Sequence, residues 1–330
     1  MGEFDLIKQF FTRPAPRAVL GVGDDCALLQ PRAGMQLAIS TDMLVSERHF
    51  FSDVDPRTLG HKALAVNLSD LAACGALPLA FTLALSLPAA DPAWLEPFSQ
   101  GLLTLAEAHN CELVGGDTTG GPLNICITVF GEVPPGQALL RHGAHDGDDI
   151  YVSGQLGEAS LALQLLLAQR QGRLPQAAEQ QLAQTRSRLE TPTPRVALGL
   201  ALRGIASAAA DISDGLLGDL GHILERSGVG ATVNVDSVLR LLPWANALHP
   251  NDAMRHVLAG GDDYELVFTA PANRQSQVLQ AARNAATPVT RIGRIEAEPG
   301  LRLHNLQGQA IHPKLHSFDH FAPRPEEATP

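Results

Sequence analysis

The chain has 330 residues, 45% apolar and 18% charged, with a formal net charge of −11 at neutral pH. This composition supports a sizeable core and excludes a disordered chain, and the length suits two domains rather than one. The negative balance excludes a nucleic-acid partner, which needs a basic stripe to displace counterions, and an anionic membrane surface.

Residues 3–11 pattern as a short amphipathic helix, and QLAIS at 36–40 as a strand ending at Thr41-Asp42. Asp55-Pro56 starts a helix, with Asp55 as N-cap and Pro56 at the first position; it runs to about Cys74 and stops at Gly75. Residues 79–87 read as a strand, 92–109 as a helix, 111–114 as extended and 123–133 as a strand. Turn formers then fill residues 134–149, which marks a domain boundary. The reading divides the chain into residues 1–137 and 138–330.

The second half restarts with a strand at Ile150, a helix over 158–171 and a polar surface helix over 173–188, stopped by TPTP from Thr191. A strand near Ala206 leads into DISDG, followed by a helix over 216–226 and a strand over 231–235. LAGGDDYELVF reads as loop then strand. A helix near Gln275, a strand near Val289 and a frayed tail after Phe321 complete the chain. The predicted class is α+β, with two mixed α/β domains.

The longest apolar stretch, residues 76–90, contains Pro78 and Pro88 and is too short to span a membrane. MGEFDLIKQF lacks the basic start and apolar run of a signal peptide, and Leu6 stands where a myristoylation signal wants Ser or Thr. Cys26, Cys74, Cys111 and Cys126 have no CxxC spacing, so they read as reduced thiols of a cytoplasmic protein. The only lysines are Lys8, Lys62 and Lys314, and no GxxxxGK[ST] loop occurs.

Six short segments place acidic or hydroxyl residues where the chain turns: GVGDD (21–25), STD (40–42), NLSD (67–70), GGDTT (115–119), DISDG (211–215) and GGDDYE (260–265). Hard cations such as Mg²⁺ take oxygen ligands, carboxylates foremost. Any one segment alone reads first as a turn or helix cap; it is six of them in one chain that point to a cation. NLSD differs because it falls inside a predicted helix, where Asn67 and Asp70 share a face. A carboxylate on a mostly apolar helix is costly unless paired or bound to a cation. Zinc is excluded by the lack of HExxH or paired Cys/His spacing. A Gly154-x-x-Gly157 turn opens a helix whose N-terminus suits an anion or simply connects strand to helix.

In order, GEFDLI, GVGDDCALL, AISTDMLV, KALAVNLSDLAACGA, VGGDTT, DISDGL, GGDDYEL and FDHFA resemble the thiamine-monophosphate kinase family, within the superfamily of aminoimidazole ribonucleotide and selenophosphate synthetases. The resemblance covers nearly the whole chain. It implies direct transfer of the γ-phosphoryl group of ATP to thiamine monophosphate, assisted by several Mg²⁺ ions, in a homodimer paired through N-terminal sheets. The first domain would then bind ATP and metal and the second complete the site. By motif, it implies Asp25, Ser40, Thr41, Asp42, Asp70, Asp117, Asp211 and Asp214 as magnesium ligands. Gly116, Asp117, Arg141 and Ser213 become nucleotide contacts, and His49, Asp262 and Phe318 substrate contacts. Asp262 departs from the family's Glu, and Phe318 from its frequent Tyr or Trp.

The chemistry accords with these residues. A phosphate acceptor is already ionised and needs no general base. The obstacle is charge: two like unit charges 4 Å apart repel by roughly 4 kcal/mol at an effective dielectric of 20. Aspartates that hold Mg²⁺ reverse the local sign. Rival readings are another ATP-dependent synthetase of the superfamily, a non-catalytic ATP–Mg²⁺ binder and a metal-dependent phosphohydrolase.

Overall fold

The computed structural model describes residues 2–313 and residue 315. The chain opens with helix α1 (Glu3–Leu6), which passes directly into a π turn over Ile7–Phe11. Thr12 N donates to Ile7 O at 2.9 Å, and Leu6, Phe10 and Phe11 are buried. The single helix expected over 3–11 is thus wound in two ways.

The N-terminal domain continues with β1 (Gln36–Val45), α2 (Pro56–Ala73), β2 (Leu77–Leu87), α3 (Pro92–Ala108), β3 (Glu112–Gly120) and β4 (Asn124–Val133). Its sheet has the order β1-β4-β2-β3. The β2–β3 pair is parallel and the others are antiparallel. β1 and β3 run further than their sequences suggest. STD and GGDTT look like turns, but they pair as strand: Asp42 lies opposite Ile127 and Asp117 opposite Ala84. Ladder partners distant in sequence override local propensity here.

Helix α2 begins as its sequence dictates. Asp55 accepts from Arg57 N at 2.8 Å, Pro56 occupies the first turn, and Gly75 follows the end with φ +65°. It is buried nearly all round and packs on α3 with backbones in close approach. A Cβ on Gly60 would fall 2.1 Å from Phe98 O, and one on Gly101 1.9 Å from Arg57 O. Both helices cover one face of the sheet. The other face carries exposed Leu37, Ile39 and Met43.

The C-terminal domain comprises β5 (Asp148–Ser153), α4 (Glu158–Arg170), α5 (Gln176–Glu190), α6 (Val196–Ala201), β6 (Ala208–Ile212), α7 (Leu216–Ser227), β7 (Gly230–Asn234), α8 (Val235–Leu239), α9 (Pro250–Ala259), β8 (Glu265–Pro271), α10 (Gln275–Asn284), β9 (Val289–Glu296), β10 (Gly300–His304) and β11 (Ala310–Ile311). Its mixed sheet has the order β11-β10-β7-β9-β5-β8-β6. The α+β class with two mixed domains is the observed architecture. α6, α8, α9, β10 and β11 were not expected. The tail after Phe321 lies outside the described residues.

The domains meet along α2. A Cβ on Gly199 of α6 would sit 2.0 Å from Ala72 O, and Ser69 hydrogen-bonds Asp211 at the end of β6. The core of the first domain runs on into the second through Val196, Leu198, Leu202 and Phe268.

Candidate active site between the domains

A cleft of about 370 Å³ lies where β1, α2, α4, α5 and the loops before α7 and β8 converge. One part of its lining is apolar, with Phe50, Phe51, Val54, Leu163, Leu166 and Leu189. The other part is acidic, with Asp42, Asp70, Asp211, Asp214 and Asp262.

The acidic part is anchored by hydrogen bonds. Asn67 Oδ1 accepts from Asp42 N at 3.1 Å, while its Nδ2 donates to Ala63 O at 3.0 Å. Ser40 Oγ donates to Asp70 Oδ2, and Ser69 Oγ to Asp211 Oδ2 at 2.9 Å. Asp219 Oδ2 accepts from Ser213 N and Asp214 N at 3.1 and 3.2 Å, which fixes the DISDG turn.

Crowding raises the carboxyl pKa values. Burial, then Asp70 and Asp214, push Asp42 up to about 6. Burial raises Asp70, against its Ser40 hydrogen bond and the charge of Arg141. Burial and then Asp70 push Asp211 up to about 8, and burial and then Asp214 push Asp219 up to about 7. Several carboxylates therefore compete for one negative environment that a cation would relieve. The donors are oxygens, which suits Mg²⁺ rather than zinc. Among the described residues no three His, Cys, Asp or Glu side chains already converge as a closed metal cage. Mg²⁺ bound through one or two carboxylates, waters and substrate phosphates needs no such cage.

The structure divides the expected residues into two groups. Asp42, Asp70, Asp211, Ser213 and Asp214 line the cleft, with His49 and Asp262. Ser40 reaches the same group through Asp70. His49 Nδ1 accepts from Val45 N at 2.9 Å, so the ring carries its proton on Nε2 when neutral. Asp25, Gly116 and Asp117 line a second cleft, of about 630 Å³, at the β3 edge of the sheet. The row Asp42–Ile127–Leu83–Gly116 crosses all four strands. Three strand spacings, about 14 Å, therefore separate the two groups. Thr41 Oγ1 bonds Thr128 Oγ1 at 2.9 Å, which leaves its hydroxyl on the opposite face of β1 from Asp42. Arg141 is exposed, yet its charge is felt by Asp70 and Asp219. Phe318 lies outside the described residues.

The N-terminus of α4 is closed from within. Gly157 N donates to both oxygens of Asp263, at 2.9 and 3.1 Å. Asp263 is buried, and burial pushes its pKa well above the usual carboxylate range. The Gly154–Gly157 turn thus joins strand to helix and holds an internal carboxyl.

Sequence reasoning missed Lys62, Tyr264, Asp219 and the apolar lining. For Lys62 a signal existed, because Lys62, Val66 and Asp70 stand at i, i+4 and i+8 on one helix face and all three line the cleft.

Residues 23–133 match the family model for AIR synthase related protein, N-terminal domain, and residues 145–304 that for AIR synthase related protein, C-terminal domain. The chain is 45% identical to thiamine-monophosphate kinase of Salmonella typhimurium, over 97% of this chain and 98% of that protein. It is similar to the crystal structure of thiamine-monophosphate kinase from Stenotrophomonas maltophilia, with 48% identity and a TM-score of 0.80 over 90% of this chain and 93% of that one. A structure described as AaThiL complexed with AMPPCP and TMP has 30% identity and a TM-score of 0.74, with 96% of each chain covered. Matched in both halves, and over nearly its full length by relatives of this identity, the chain belongs to the AIR synthase related proteins and, within them, to the thiamine-monophosphate kinase family.

Proposed function

We propose that this chain transfers the γ-phosphoryl group of ATP to a phosphate oxygen of thiamine monophosphate, giving thiamine diphosphate and ADP. The observation that carries this reading is the interdomain cleft, where carboxylates from both domains face one space beside an apolar lining. The apolar part suits a heteroaromatic ligand and the acidic part suits metal-borne phosphates. The related complex with AMPPCP and TMP supports the same pairing of ligands.

We assign Asp25, Ser40, Thr41, Asp42, Asp70, Asp117, Asp211 and Asp214 to hold several Mg²⁺ ions. Held there, Mg²⁺ would supply positive charge against the charge that develops in phosphoryl transfer. The chain's own residues bind and orient. Asn67 and Ser40 fix Asp42 and Asp70, and Ser69 fixes Asp211. Gly116, Asp117, Arg141 and Ser213 take the nucleotide; His49, Asp262 and Phe318 take the acceptor. No side chain need remove a proton, because the attacking phosphate oxygen is already ionised. Rate enhancement then comes from in-line positioning.

We also infer a homodimer through the outer faces of the N-terminal sheets, since Leu37, Ile39 and Met43 would otherwise stay wet. In such a pair the β3 edge of one protomer, with Asp25 and Asp117, would lie beside the partner's β1 edge, which carries Asp42. We further infer a domain boundary between residues 137 and 138, in the stretch between β4 and β5, and a cytoplasmic location.

The test combines purified protein, ATP and Mg²⁺, with and without thiamine monophosphate. ADP and thiamine diphosphate forming together, and only with the acceptor present, is the expected result. ADP without acceptor would indicate a phosphohydrolase. Binding without turnover would indicate a nucleotide sensor, and turnover only with a different acceptor another synthetase of the superfamily.

A further inference from the structure

Lys62 is buried on α2, with only 4% of its surface exposed. A lysine is rarely buried unless its charge is paired. Its ammonium lies 2.9 Å from Asp262 Oδ1, and both residues line the interdomain cleft. Tyr264 Oη donates to the same oxygen at 3.1 Å. Two donors thus fix one carboxylate oxygen, while the Asp262 side chain, which lines the cleft, remains about a third exposed.

The backbone that presents Asp262 is strained. Asp262 and Tyr264 have φ of +67° and +49°, a conformation that disfavours side-chain-bearing residues. It is held by Asp262 N donating to Ser213 O and Tyr264 N to Ile212 O, each at 2.9 Å. Gly261 has no room for a side chain, since a Cβ would fall 2.3 Å from Ser213 O. An ion pair that merely joined two domains would need neither a strained loop nor a place in the cleft lining. Lys62 also shares its helix face with Asp70, so one rigid element carries both a metal-side carboxylate and the cation that anchors Asp262.

We propose that Lys62 is a positioning residue for the acceptor: it fixes the Asp262 carboxylate in place for contact with thiamine monophosphate. This rests on the reading above that Asp262 touches the acceptor.

Lys62→Met and Lys62→Arg are compared with the unaltered enzyme, following thiamine diphosphate while each substrate is varied at saturating levels of the other. Lys62→Met is expected to raise KM for thiamine monophosphate at least tenfold and to leave KM for ATP within twofold. Lys62→Arg, which still donates to Oδ1, is expected to restore most of that loss. An unchanged acceptor KM, an equal rise in both KM values, or a fall in kcat alone overturns the proposal. If Lys62→Met does not fold, Lys62→Gln replaces it under the same criteria. Absence of thiamine diphosphate from the unaltered enzyme strikes the kinase reading and this proposal together. An active enzyme with insensitive variants strikes Lys62 alone.

Discussion

Ser69 Oγ donates to Asp211 Oδ2 over 2.9 Å with both side chains buried, so the central helix of one domain grips the acidic turn of the other. This bond lowers the Asp211 pKa against burial and the charge of Asp70, which together raise it. Ser69→Ala should therefore do two things. It should lose about 1 kcal/mol of stability, read from the urea midpoint. It should also cut kcat by between about ten- and a hundredfold, because Asp211 loses its orientation. Full activity at an unchanged midpoint would show that the contact neither holds the domains nor sets the carboxylate.

Asp42→Ala and Asp117→Ala should each reduce turnover by about a hundred- to a thousandfold, the scale of losing one preorganised electrostatic contact. Both variants should keep the far-ultraviolet circular dichroism of the parent. Burial first, then the charges of Asp70 and Asp214, raise the Asp42 pKa to about 6, so its removal also relieves a desolvated and repelled carboxylate. In buffer free of divalent cations Asp42→Ala should accordingly melt no lower than the parent. Near-normal turnover in either variant would remove that residue from the site.

What could be read before folding depended on how local the signal was. α2 was legible from end to end because Asp55, Pro56 and Gly75 act on their immediate neighbours. That Asn67 and Asp70 share a face followed from helical spacing; that this face points inward, against β1, did not, and the structure supplies it. The extents of β1 and β3 were not legible, since Asp42 and Asp117 sit in strand only because distant β4 and β2 pair with them. The Lys62–Asp262 pair joins residues 200 positions apart, and no spacing rule reaches that far. The division of Asp25 and Asp117 from Asp42 and Asp70 is a matter of sheet order, which a list of motifs does not contain.

The raised carboxyl pKa values fix the sign of a pH effect. A carboxyl whose folded pKa lies above its unfolded value stabilises the fold when protonated, and that stability is lost as pH rises through the folded pKa. From the ordinary value of 3.8, Asp42, Asp219 and Asp211 lose it up to about 6, 7 and 8 in turn, so the loss spans about pH 4 to 8 and its part above pH 6 belongs to Asp219 and Asp211. His256 acts the other way and lower down. Burial depresses it to about 4, so its contribution is full above about 6.5 and lost as pH falls toward 4. In cation-free buffer the melting temperature should fall from pH 6 to pH 8, and Mg²⁺ should flatten that slope. A slope indifferent to Mg²⁺ would argue that these carboxyls do not share a cation.

Glu265 is fully buried, bonded by Ser153 Oγ and Arg195 Nε at 2.6 Å each and by Arg188 Nη2 at 2.8 Å. Removing the acid leaves two largely buried guanidinium groups without their counter-charge. Glu265→Leu should cost roughly 3–5 kcal/mol, visible in the urea midpoint. Gly154→Ala should be damaging for a related reason: its φ is +56°, and a Cβ would fall 2.0 Å from Glu265 Oε1. A loss under about 1 kcal/mol for Glu265→Leu would mean that this network adds little beyond ordinary packing.

Ile39 stands 59% exposed on the uncovered face of β1, with Leu37 and Met43 on the same face. If that face pairs two protomers, Ile39→Asp should convert a dimer to a monomer in sedimentation, and turnover should fall with it. Mixing then separates two arrangements of the aspartates. Asp42→Ala and Asp117→Ala are each expected to be inactive alone. If Asp117 of one protomer serves the partner's Asp42, a mixed dimer has one site with both defects and one with neither. Co-refolding equal amounts should then restore about a quarter of parental activity, because half the dimers are mixed and each has one intact site of two. If both aspartates serve within one protomer, every site in every mixture keeps a defect and no activity returns. Recovery is the expected outcome. Sheet order holds Asp42 and Asp117 at opposite edges, about three strand spacings apart, too far for two carboxylates to share one Mg²⁺ within a single protomer.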